Sequence, residues 1–153
     1  MALSEAARER IRSAAGYRCE YCKIQSWPLT IDHVVPKYKW NTPVADERDQ
    51  LPFADADDER NLCCACIVCN VIGKRQRETA TDPLTGTVVP LFNPRTESWD
   101  AHFEWQDDFI QIRGLTPVGR ATIDLMRLNG PNYQEQRRLL RAGAVSGLRS
   151  WPD

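Results

Sequence analysis

Six cysteines and two histidines carry most of the chemistry that this 153-residue chain can offer. Cys19-Glu20-Tyr21-Cys22 and Cys66-Ile67-Val68-Cys69 are two CxxC pairs separated by 43 residues. Each pair sets two thiolates one tight turn apart, within reach of one tetrahedral Zn²⁺ at about 2.3 Å per Zn–S bond. Two pairs complete a closed Cys₄ site with no open coordination position, which is a structural arrangement rather than a catalytic one. A disulfide framework is the first rival, and a reducing compartment disfavours it. A thioredoxin-like redox pair is the second, and it accounts for one CxxC but not for the other. Cys63 and Cys64 lie outside the pairs and read as small buried hydrophobes.

Between the two pairs, Asp32 is followed directly by His33; Asn61 lies further on, and Asn70 stands immediately behind Cys69. A carboxylate, an imidazole and an amide of this kind can serve one hard cation and one water. Asp32 offers a charged oxygen and Asn70 a neutral one, leaving other Mg²⁺ positions for water and a substrate phosphate. Imidazoles titrate near neutrality, so His33 is suited to take a proton from an attacking water.

These residues need elements to hold them. Ser4 is placed to cap a helix over 5–15 that Gly16 stops. Leu29-Thr30-Ile31-Asp32-His33-Val34-Val35 is β-branched, alternating and ended by Pro36, so a strand is expected to carry Asp32 and His33. Residues 37–58, with Pro43, Pro52 and an acidic cluster, read as a long loop. Short helices are expected over 59–65 and 70–77. Asp82-Pro83-Leu84-Thr85-Gly86 is turn chemistry. Phe103-Glu104-Trp105 and Phe109-Ile110-Gln111-Ile112 read as a hairpin. Thr116 caps a helix with Pro117 at its first position, running to Asn129 and ended by Gly130. A last helix is expected over 133–142. No repeat or low-complexity linker interrupts the chain. The fold class expected is therefore α+β in one domain over 1–153, with a metal-bearing core over 16–78 and an extension over 79–142.

Charge is balanced in total and uneven in distribution. There are 20 Lys and Arg against 21 Asp and Glu, a net charge of -1. Seven acids fall in residues 46–59, against the single base Arg48, whereas residues 109–149 carry seven Arg and two acids. Sixteen of the twenty bases are Arg, the residue suited to bidentate phosphate contacts. An apolar fraction of 42% argues against disorder. No apolar run approaches the roughly 18 residues of a membrane span. The start of the chain lacks the basic and apolar segments of a signal peptide, so a cytoplasmic location is expected.

Taken together, Cys19-x2-Cys22, Ile31-Asp32-His33-Val34-Val35-Pro36, Asn61-Leu62 and Cys66-x2-Cys69-Asn70 resemble the HNH endonuclease family. The likeness continues into a bacterial subfamily through 82–86, Val89-Pro90-Leu91-Phe92-Asn93-Pro94-Arg95, Trp99, His102-Phe103 and 114–122, covering roughly residues 10–142. The resemblance implies a small ββα-metal core with a Cys₄ zinc knuckle, followed by a C-terminal hairpin and helices. It implies that His33 is the general base, that Asp32 and Asn70 bind one catalytic Mg²⁺ (or Mn²⁺ or Ni²⁺), and that Asn61 orients the loop holding His33. Cys19, Cys22, Cys66 and Cys69 would bind the structural zinc. DNA is the implied partner, with Lys74, Arg75 and Arg77 on its flanking phosphates. His102 matches a tail position and reads as structural.

The sequence also departs from that pattern. Asn70 stands where His is frequent, an acidic segment is inserted between His33 and Asn61, and Gly73 delays the lysine after Asn70 by one place. An acidic loop beside a phosphate site repels DNA unless it moves or meets a protein partner. The rival function is a zinc module without catalysis that binds DNA or a protein.

Overall fold

The computed structural model describes residues 2–143 and 151–152. Its first helix, α1 (Glu5–Ala14), begins where Ser4 Oγ accepts the Ala7 amide at 3.2 Å and ends before Gly16, which takes a positive φ of 64°. The strand expected next forms as β1 (Leu29–His33). A 3₁₀ turn (Lys37–Asn41) and the short helix α2 (Ala45–Asp49) break up the long loop that follows.

The helix expected over 59–65 does not form. Only Glu59–Asn61 makes a 3₁₀ turn, and Leu62–Cys66 is a strand, β2, antiparallel to β1 with Ile31 opposite Cys64 and Asp32 opposite Cys63. The physical reason is burial on both faces. Leu62 and Cys64 pack with Ile31 against Ile11 of α1, while Cys63 and Ala65 face the larger core cluster. A continuous run of small apolar residues has no period by which to tell a buried strand from a buried helix.

The helix expected over 70–77 is also different. Val68–Lys74 is a π turn, closed by the Arg75 amide on the Asn70 carbonyl at 2.9 Å, and Arg75 leaves it with φ 54°. A π turn is wider than an α turn and takes up an additional residue. Lys74, four places past Asn70, is thereby brought round to face β1.

β3 (Thr79–Thr81) and β4 (Val88–Pro90) form a hairpin around the expected turn, and α3 (Trp99–His102) leads into β5 (Phe103–Gln106) and β6 (Gln111–Gly114). The bend between β5 and β6 is made by Asp107, Asp108 and Phe109, all at positive φ. α4 (Pro117–Met126) starts as expected, with Thr116 Oγ1 accepting the Gly119 amide at 3.0 Å. It ends three residues early, with Arg127 left-handed. Leu128 is buried in the core, and the Asn129 amide pairs with both the N–H and the carbonyl of Ile112 at 2.8 and 2.7 Å, drawing the chain off the helix axis. α5 (Pro131–Arg141) begins on Pro131, two residues before its expected start.

Arg137 of α5 is fully buried and ties distant parts of the chain together. Its guanidinium donates to the carbonyls of Ile110, Leu128 and Cys22 and lies over the Trp105 and Tyr133 rings. The first CxxC pair is thus fastened to the C-terminal hairpin and helices. No helix among the described residues is long and apolar enough to cross a membrane.

The β3–β4 turn is anchored to α4 by a fork: Arg120 Nε and Nη2 meet the Asp82 carboxylate at 2.9 and 2.8 Å, and Thr85 adds a hydroxyl at 2.7 Å. Arg120, above all, holds the Asp82 carboxyl well below its ordinary range, against the opposing effect of burial. Asp82 therefore contributes stability above the ordinary carboxylate pKa, and that contribution fades as pH falls through its depressed value. Asp82→Asn is expected to be less stable than wild type at neutral pH, with the gap narrowing in strong acid. Urea midpoints across pH check this.

Candidate functional site

Both CxxC pairs arrive at one point. The Sγ atoms of Cys19, Cys22, Cys66 and Cys69 lie within 4.8 Å of one another and all four residues are buried. Cys19 and Cys22 come from the turn after α1, Cys66 from the end of β2 and Cys69 from the π turn. In each pair the second amide points at the first sulfur, Cys22 N to Cys19 Sγ at 3.5 Å and Cys69 N to Cys66 Sγ at 3.3 Å. Cys22 Sγ and Cys66 Sγ are 3.7 Å apart, and a tetrahedron with bonds of about 2.3 Å has edges of about 3.8 Å. The cluster can hold a metal ion such as zinc.

Its electrostatics agree with that role. Burial opposes ionisation of Cys19, but hydrogen bonds from Cys22, Cys66 and Cys69 outweigh it and bring the thiol well below its ordinary value. Burial and the neighbouring sulfurs push Cys22 and Cys69 well up. Crowded thiols resist sharing negative charge, and a dication reverses that resistance. Tyr133 Oη stands 3.4 Å from Cys69 Sγ, an outer partner for the cluster. Cys63 and Cys64 are buried outside it, as their sequence context implies.

Asp32 points from β1 toward the π turn and is almost fully buried. Tyr21 Oη donates to its Oδ2 at 2.8 Å, and Lys74 Nζ lies 3.3 and 3.2 Å from the two carboxylate oxygens and 3.0 Å from the His33 carbonyl. Burial raises the Asp32 pKa, with Lys74 and Tyr21 pulling the other way. Here the expectation for Lys74 needs correction. At 1% exposure it is a buried counter-ion of Asp32, not a surface phosphate contact. The wide π turn carries it inward, where the carboxylate provides the compensation that a buried ammonium requires.

The pair makes a sharp stability prediction. Lys74→Met leaves the Asp32 carboxylate buried without its partner and is expected to cost about 3–5 kcal/mol. Adding Asp32→Asn should return most of that loss. Denaturation midpoints of the single and double variants check both statements.

Asn70, on the same side of β1, gives its Nδ2 to Thr30 Oγ1 at 2.9 Å and Ile31 O at 3.4 Å. The Asp32 carboxylate, the His33 carbonyl and the Asn70 amide oxygen are hard oxygens, the donor type that Mg²⁺ takes. The seat beside Asp32 is taken by the Lys74 ammonium.

His33 ends β1 half-buried. Its Nε2 lies 2.7 Å from Asp57 Oδ1, and Lys37 Nζ reaches the Asp57 oxygens at 3.3 and 3.2 Å. Burial raises the Asp57 pKa, but His33 and Lys37 together bring it below its ordinary value. Asn61, 1% exposed, holds both sides of this pair in place. Its Oδ1 accepts the Val35 amide at 2.9 Å, its Nδ2 donates to the Val35 and Ala56 carbonyls at 3.1 and 3.0 Å, and its own carbonyl accepts the Val34 amide at 2.8 Å. One side chain thus fixes the backbone after His33 and the backbone before Asp57.

The acidic segment is in part structural. Asp57 turns in to His33, Asp58 forks with Arg60 and Glu59 pairs with Arg10. Asp46, Glu47 and Asp49 remain exposed on α2. Arg75 and Arg77 are exposed. His102 is held by Thr116 and Glu97 at 2.6 and 2.7 Å, joining the α4 cap to the chain before α3. Asp57, Lys37 and Tyr21 were not singled out by the sequence. Tyr21 lies inside the first CxxC pair, and Asp57 is one of seven acids in a loop, so neither carries a mark of its own.

No family model, curated protein or solved structure matches the chain. The functional reading therefore stands on the site itself and on the motif resemblance.

Proposed function

We propose that this chain is a zinc-stapled DNA endonuclease of the HNH kind, hydrolysing phosphodiester bonds with His33 as general base. The observation that carries the reading is the His33–Asp57 pair held by Asn61. A carboxylate only accepts, so Nε2 carries the ring proton and the Nδ1 lone pair is left to receive one. A third group orienting a base in this manner is the usual architecture of general-base catalysis. The hairpin of β1 and β2 followed by a helical turn, with four cysteines at its two ends, supports the ββα-metal core that the resemblance implies.

In this mechanism a water at Nδ1 loses its proton to His33 as it attacks phosphorus in line. Asp57 stabilises the imidazolium that forms. Lys37, half-exposed beside Asp57, is placed to meet a phosphate oxygen, and Arg75 and Arg77 take flanking phosphates. Asn61 acts as a positioning residue. Mg²⁺ held by Asp32 and Asn70 would supply Lewis-acid stabilisation of charge at the scissile phosphate. Hydrolysis in this sense leaves 5′-phosphate and 3′-hydroxyl ends.

The Lys74–Asp32 pair favours a second reading, a zinc module that binds without cleaving, because it gives Asp32 a role in the core. Supercoiled plasmid incubated with the purified protein separates the two. Nicking with Mg²⁺ or Mn²⁺, leaving ends that a ligase reseals, is expected. Intact plasmid with every divalent ion tried would favour the binding module.

A further inference from the structure

A groove of about 1230 Å³ runs between the π turn and the start of α5, with Asn70 in its wall. Two of its features, the exposed Val71–Ile72 pair and Arg127, have no role in the mechanism above. Val71 and Ile72, at the outer side of the π turn, are 58% and 64% exposed, among the most exposed large aliphatics described. Around them stand Arg75, Arg77 and Arg127, all exposed, and among the described residues none of the three meets a carboxylate. By contrast, Arg10, Arg12, Arg60, Arg95, Arg113 and Arg120 each have an acidic partner.

Arg127 stands apart from the other two in sequence. It occupies the left-handed position after α4, at φ 53° and ψ 46°, where Gly or Asn is the comfortable residue. No hydrogen bond or ion pair of its guanidinium within the described chain accounts for an arginine there. Three cations without counter-charge converge on one groove, and an exposed branched aliphatic projects beside them. A polyanion with an apolar interior that can be opened fits this combination, and duplex DNA is such a ligand.

Resting on the DNA reading above, we propose that Ile72 is an apolar wedge that enters a base step of bound duplex DNA. Arg75, Arg77 and Arg127 hold the phosphates on either side of it. Unstacking one step kinks the duplex away from the wedge and redirects its backbone, placing the next phosphate along the wall that carries Asn70. The wedge thus couples DNA deformation to delivery of the scissile phosphate. Preference follows from how easily a step opens, so pyrimidine–purine steps are favoured even without hydrogen bonds to bases.

The test uses the full chain carrying His33→Ala, so that DNA stays intact, with short duplexes bearing 2-aminopurine at many adenines. Binding is read by anisotropy and unstacking by 2-aminopurine fluorescence. Fluorescence should rise several-fold on binding, and adding Ile72→Ala should abolish the rise while affinity falls by less than about tenfold. Arg127→Gln should weaken binding by about tenfold and reduce the salt slope by roughly one. Binding without a fluorescence rise, or a rise that survives Ile72→Ala, overturns the wedge. So does an absence of DNA binding, whether or not the chain self-associates or takes up an acidic peptide at this face. Wild-type nicking of plasmid is scored separately: cleavage without unstacking fails the wedge alone, whereas neither cleavage nor binding fails both readings.

Discussion

Removing the metal from the Cys19, Cys22, Cys66 and Cys69 cluster is expected to unfold the chain. Structural zinc sites of this kind contribute roughly 10–16 kcal/mol at neutral pH, while a domain of ordinary size is stable by about 5–15 kcal/mol in total. The loss therefore matches or exceeds the whole net stability of such a domain. Position adds to magnitude. The cluster joins the turn after α1, the end of β2 and the π turn, and its surroundings carry α5 through the Tyr133 hydroxyl on Cys69 and the Arg137 bond to the Cys22 carbonyl. Releasing the four thiolates frees the turn that places Lys74 and Asn70 as well as the C-terminal helix. A strong chelator should collapse the thermal transition, and Cys66→Ser should give an unfolded or aggregated product. Metal analysis should find one zinc per chain. A Cys66→Ser protein with wild-type stability would contradict the structural role of the site.

Local signals in the sequence translated well into structure. Ser4 and Thr116 cap the helices they precede, β1 forms where β-branched residues alternate, and the CxxC pairs meet at a single point. What was not legible depends on contacts between distant residues. β2 could not be told from a helix because both its faces are buried, so its apolar run has no period. α4 ends early because Asn129 finds the backbone of β6, a contact 17 residues away. Lys74 reads as a surface cation until the π turn brings it onto Asp32. Asp57 is the clearest case. Charge alone marks the 46–59 segment as an acidic surface, and only the Asn61 clamp shows that one of its carboxylates belongs to His33.

The same clamp gives the second large expected effect. His33 is half-buried at a strand end, and among the described residues its ring bonds only to Asp57 across the loop, so its replacement leaves the cysteine cluster and the three core clusters as they are. Loss of a positioned general base typically reduces a rate by 10²–10⁴-fold. Asp57→Asn should give a smaller loss: the ring keeps a neighbour, but the imidazolium is no longer stabilised by a carboxylate. Asn61→Ala should lower both rate and stability, because it releases two backbone segments at once.

Whether His33 acts as a base for DNA hydrolysis is decided by one comparison. Cleavage of a labelled duplex under single-turnover conditions, with Mg²⁺ or Mn²⁺, is compared between wild type and a His33→Ala protein of equal zinc content and melting temperature. Cleavage by wild type is expected, with a fall of at least about 100-fold in the variant. Equal rates in the two proteins would contradict it.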